Sequence, residues 1–286
     1  MGSGSWNSAL FCSYSTSKGV DVDALTGTVS SSATHQDMFR EQSINPLLNP
    51  KNVVRECCDS EEHPNTKPVI LALDVTGSMG NAATEVARKL NVIMTKLYEK
   101  VEDVQFMIMG IGDLAYDRYP IQASQFESDI RIAEQLDKVY FEFGGGGNSF
   151  ESYTAAWYFA SRHTKLDCWK RGEKGIIITM GDEQLNPYLP QAALKRVTGD
   201  SLQGDIETAD LYEEVKDKYD VYHLNVDHRK WWDDDRIPGT FESVIGKDHF
   251  KTVTLNNITD AIVEIVIGKT EKREEIKETN NSGIAW

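Results

Sequence analysis

The sequence predicts an α/β domain: a doubly wound, mostly parallel sheet with one antiparallel edge strand and helices on both faces. Three observations carry that expectation. Residues 69–73 (Val-Ile-Leu-Ala-Leu) and 176–180 (Ile-Ile-Ile-Thr-Met) are short, nearly continuous apolar runs, the pattern of strands buried on both faces. Between such runs lie stretches with a helical period, the clearest being 81–99, where Val86, Leu90, Ile93 and Leu97 form one stripe. Asp74, Asp113, Asp182 and Asp227 each follow an apolar run, which gathers carboxylates along the C-terminal rim where open parallel sheets bind ligands.

In chain order, residues 1–67 are rich in Ser, Thr and Asn and hold no clear period. They are expected to form an extended arm whose aromatics Trp6, Phe11 and Tyr14, and the patch 44–48, dock on the main domain or on a neighbouring subunit. Residues 68–268 form the domain itself. After the first strand and the helix 81–99 come a strand at 104–110 and another at 119–126, joined by a loop too short for a parallel crossover, so this pair is antiparallel. Helices are expected at 127–139 and 149–163, flanking the glycine loop 144–147. The strand 175–180, a helix 205–219 capped by Asp205, strands at 221–226 and 251–255, and a helix 258–267 stopped by Gly268 complete the pattern. Residues 269–286 are a charged tail.

With 286 residues and a net charge of -15, the chain is poorly suited to nucleic acid or anionic membranes and better suited to cations and basic partners. No apolar run approaches a membrane span, and the start lacks a secretory layout, so a cytoplasmic protein is expected. Cys12, Cys57, Cys58 and Cys168 have no framework spacing, and reduced thiols are the expectation.

The chemistry concentrates at Asp74-Val75-Thr76-Gly77-Ser78, where a carboxylate and two hydroxyls alternate on a turn at the end of the first strand. This stretch resembles the Asp-x-Ser-x-Ser motif of the von Willebrand factor type A (vWA) family, with Thr76 in place of the first Ser. That family completes a metal-ion-dependent adhesion site from two later loops. The counterparts are Asn148, a departure from the usual Thr that leaves Ser149 as a substitute, and Asp182. The resemblance implies a vWA-like fold and no catalytic residues. It also implies a magnesium ion (or manganese or calcium) held by Asp74, Thr76, Ser78, Asn148 and Asp182. An acidic side chain of a protein partner would take the open metal position, and the protein would serve as an adaptor or scaffold. By analogy with intracellular members, an AAA-type ATPase system is a candidate partner.

Competing readings stand beside this one. Asp74, Thr76 and Ser78 could simply cap the following helix, which would leave Asp182 without a role. A metal-dependent phosphohydrolase of the haloacid-dehalogenase type needs a second Asp two residues after the first, and Thr76 stands there. A structural subunit could assemble as a homo-oligomer through its N-terminal arm. In 227–236, Trp231 and Trp232 with Asp113 are candidate partner contacts on the same rim. His223, inside a strand, reads as a core residue, and His228 as a solvated one.

Overall fold

A computed structural model of the chain describes residues 4–142, 149–227 and 235–282. Its centre is a six-stranded sheet of Lys67–Asp74 (β1), Val104–Ile111 (β2), Ile121–Ala123 (β3), Gly175–Gly181 (β4), Tyr219–Val226 (β5) and Phe250–Val253 (β6). The strands lie in the order β6-β5-β4-β1-β2-β3. All neighbours pair in parallel except β3, which is antiparallel to β2. This is the mostly parallel sheet with one antiparallel edge strand that the sequence predicts.

Alternate residues of β1 serve two cores. Val69, Leu71 and Leu73 join one apolar cluster, while Ile70 and Ala72 join the other, because successive side chains of a strand point to opposite faces. The first cluster is covered by Gly80–Arg88 (α3), Leu90–Tyr98 (α4), Arg131–Leu136 (α5) and Ile258–Ser282 (α10); the second by Thr154–Arg162 (α6), Gln191–Thr198 (α7), Thr208–Val215 (α8) and Arg236–Ile245 (α9).

Several elements differ from expectation. The arm is not simply extended: residues Ser8–Ser17 form helix α1, capped by the Asn7 side chain, which accepts the N–H groups of Ala9 and Leu10. A second short helix, α2, spans His35–Met38. Phe11, Val20, Val29, Phe39 and Leu48 all enter the first core, and the Trp6 indole donates to Asn91 of α4 at 2.9 Å, so the segment docks on its own domain. The helix expected over 81–99 is divided at Lys89, whose φ of -97° and ψ of 8° leave the helical range. Asp205 does not cap the helix that follows it but accepts the N–H of Gln191, the first residue of α7, at 2.8 Å, and α8 begins at Thr208.

Helix α10 runs straight through Gly268 to Ser282. A glycine costs a helix interior only about 1 kcal/mol relative to alanine. Anchors beyond it offset that: Arg273 and Lys269 both pair with Asp220 of β5, and Thr270 is buried. Among the described residues no helix is long and apolar enough to cross a membrane.

Candidate metal centre

The chain leaves β1 towards β2 and later returns to lay β4 on the other side of β1. Such a reversal opens a crevice at the carboxyl ends of the two central strands. Asp74 is the last residue of β1, Asp182 follows the last residue of β4, and the register pairs Leu73 with Met180, which sets the two carboxylates side by side.

Hydrogen bonds join four of the predicted ligands. The N–H and hydroxyl of Thr76 donate to Asp74 Oδ1 at 2.8 and 2.6 Å. The Ser78 hydroxyl donates to Asp182 Oδ1 at 3.1 Å and lies 3.3 Å from the Thr76 hydroxyl. Neither the 3₁₀ turn Gly77–Met79 nor α3 receives a side-chain cap, so helix capping does not account for these residues. Asp74, Thr76 and Asp182 are buried while Ser78 is exposed, and the cluster meets solvent there.

Asp113 reaches the same rim but is buried. Its carboxylate accepts the N–H of Ala115 at 2.7 Å, and its own N–H donates to Asp117 at 2.7 Å, so it shapes its own loop. Asn148, Trp231, Trp232 and His228 lie outside the described residues. Ser149, next to Asn148, accepts the N–H of Gln184 through its carbonyl at 3.3 Å, which brings the end of the second loop against the third. His223 is a core residue: fully buried, with Nδ1 2.8 Å from the Thr179 hydroxyl and its ring stacked 3.7 Å from Phe241.

Sequence reasoning missed two rim residues. The Tyr153 hydroxyl, fully buried, donates to Asp74 Oδ2 at 3.0 Å and accepts the N–H of Glu183 at 3.2 Å, bridging the first and third loops. A Cβ at Gly181 would run into that ring, so the last position of β4 has to be glycine. Glu151, also buried, sits in a two-residue strand, Phe150–Glu151, that pairs in parallel with Gln184–Leu185. Both residues fall where the sequence pattern extends a helix from 149, whereas α6 starts at Thr154. The usable signal is the polar residues Asn148, Ser149, Glu151, Ser152 and Thr154, broken by Phe150 and Tyr153, between the glycine loop and Ala155.

Burial, and after it the charge of Asp182, pushes the Asp74 carboxyl above the ordinary carboxylate range, against hydrogen bonds from Thr76 and Tyr153. Burial, followed by the charges of Asp74, Asp117, Asp113 and Glu183, pushes Glu151 up as well. Burial likewise raises Asp117 to about 6.

The donor set suits a hard divalent cation. Each hydroxyl has a carboxylate to receive its proton, which leaves oxygen lone pairs for an ion, and a positive charge among buried carboxylates relieves the strain that raises them. Among the described residues no group of three or more His, Cys, Asp or Glu is arranged to hold a metal. An ion here would therefore need hydroxyls and water for the rest of its shell, and magnesium commonly keeps several waters.

No protein-family model matches the chain, and no curated protein does. Among solved structures it is similar to the pilus adhesin SpaC from Lactobacillus rhamnosus GG in its open conformation, at 14% identity and a TM-score of 0.48, over 76% of this chain and 31% of that one. It thus spans about a third of the SpaC chain. It is also similar to the vWF domain of the type V pili tip protein Mfa5 from Porphyromonas gingivalis (13% identity, TM-score 0.44, 77% of this chain and 97% of that one). A third similar structure is the conserved hypothetical protein BatB from Bacteroides thetaiotaomicron (18% identity, TM-score 0.41, 72% and 99%). These likenesses concern the fold and assign no residue a role.

Proposed function

We propose that the chain is a protein-interaction module that binds a divalent cation, magnesium in the first place, at Asp74, Thr76, Ser78 and Asp182, and through it an acidic side chain of a protein partner. The observation that carries this reading is the hydrogen-bonded chain from Asp74 through Thr76 and Ser78 to Asp182, which joins two loops at the sheet's reversal point and opens to solvent at Ser78. Thr76 and Ser78 would ligate the ion directly, and the two carboxylates directly or through water. The ion supplies a positive centre with an exchangeable position, and this chain's residues hold and orient it. Recruitment rather than turnover is favoured because the position two residues after Asp74 carries a hydroxyl, not the second carboxylate that aspartyl-phosphate chemistry requires. We further propose a cytoplasmic adaptor role in a larger assembly.

Calorimetric titration of magnesium, manganese and calcium into wild type and Asp74→Ala tests the reading. Wild type is expected to bind at least one of the three ions, and the variant about 100-fold more weakly or not at all, since a ligand is lost along with the acceptor of the Thr76 hydroxyl. Identical heats for the two proteins would refute it.

A further inference from the structure

Glu151 is 5% exposed, and its Oε2 is buried with no hydrogen-bond partner among the described residues. Three contacts fix its place. Its backbone pairs with Leu185, three residues beyond Asp182. Its neighbour Ser152 accepts the N–H of Leu114 at 3.0 Å, tying the segment to the Asp113 loop. Tyr153, whose N–H bonds back to the Glu151 carbonyl at 2.9 Å, donates its hydroxyl to Asp74. Glu151 thus stands where the loops after β1, β2 and β4 converge, and the charges that act on it most, those of Asp74, Asp117, Asp113 and Glu183, are all negative.

A buried, acceptor-only group among like charges takes up either a proton or a cation. A proton alone leaves the same buried oxygen without a hydrogen-bond partner. A hydrated ion one shell away answers both the charge and the lone pairs.

We propose that Glu151 is a further residue of the cation site, a carboxylate that binds the divalent ion through its water shell. This rests on the reading of the Asp74 cluster as that site. Glu151 adds a third buried carboxylate to Asp74 and Asp182, so the occupied site keeps a net negative charge, holds its ion more firmly, and admits an acidic partner less readily than two carboxylates alone would allow. Groups that hold a metal's shell from outside commonly matter about 10- to 100-fold in affinity.

The test measures free manganese by electron paramagnetic resonance during titration of the full chain as wild type, Asp74→Ala, Glu151→Gln and Glu151→Asp, with melting curves in chelator alongside. Glu151→Gln is expected to weaken manganese binding about 10- to 100-fold while melting in chelator no lower than wild type, because an uncompensated buried carboxyl has gone. Glu151→Asp, which keeps the charge but draws it back by one methylene, is expected to fall between, and it decides the matter if the glutamine variant does not fold. Wild-type affinity in both Glu151 variants, with binding lost in Asp74→Ala, overturns this inference and leaves the cation reading standing. Absence of manganese binding by wild type overturns both.

Discussion

Asp74 and Asp200 are both drawn into the protein, and they are treated in opposite ways. Asp200 is half-buried beside α6. Burial alone would raise its carboxyl, yet the Tyr158 hydroxyl and the His163 imidazole, with Nε2 2.6 Å from Oδ2, hold it below the usual range. His163 is itself fixed by the Val53 carbonyl at 2.9 Å and by stacking on Phe159. Asp74 receives donors from Thr76 and Tyr153, yet its full burial, and after it the charge of Asp182, push it up, and Asp74 in turn helps to push up Glu151. A carboxylate whose neighbours neutralise it ties the fold together. One whose neighbours are further acids suits, on the function proposed above, a charge brought from outside.

The most severe way to disturb this contrast is through Gly181. Gly181→Ala would force the fully buried Tyr153 ring out of place and with it the bond to Asp74. A loss of about 3 kcal/mol is expected, as for overpacking that displaces a fully buried ring, together with loss of any ion-induced rise in melting temperature. Denaturant melts with and without magnesium measure both. Asp200→Asn probes the contrast from the other side. It should cost about 1–2 kcal/mol by weakening the Tyr158 and His163 bonds, and leave ion affinity unchanged. A change in ion affinity would show that the two regions are not independent.

His223 isolates burial without like charges. Burial holds its imidazole neutral down to about 3, whereas an unfolded chain protonates it below about 6.5. Its contribution is therefore fully present above that pH and is lost as pH falls towards 3, at up to about 1.4 kcal/mol per unit. The stability difference between wild type and His223→Gln, followed from pH 7 to pH 5 in chelator, should shrink by about 1 kcal/mol or more. A difference independent of pH would contradict the neutral, buried state.

The sheet and the pair Asp74–Asp182 were legible because both depend on short-range pattern: apolar runs mark buried strands, and a residue just past the end of such a run lies on the rim. Glu151 and Tyr153 were not, because their roles come from a two-residue pairing with Gln184–Leu185 that no periodicity encodes. The course of α10 past Gly268 was hidden for the same kind of reason. Local propensity reads glycine as a stop, while the ion pairs with Asp220 that carry the helix onward come from a strand about fifty residues earlier. The N-terminal helix rests on one Asn cap, on Phe11 in the core and on the bonds of Ser8 to Thr95 and Tyr14 to Asp137, so a search for amphipathic period passes over it.

The bond from Ser78 to Asp182 joins residues 104 positions apart. During synthesis a ribosome must deliver all of β4 and the residue after it before the second half of this junction exists, so a nascent or truncated chain carries only fragments of it. A cation that prefers the completed junction would then act as a latch on the finished fold, adding stability in proportion to the logarithm of its free concentration. Melting temperature against ion concentration would then measure how strongly the ion prefers the completed fold to the open chain.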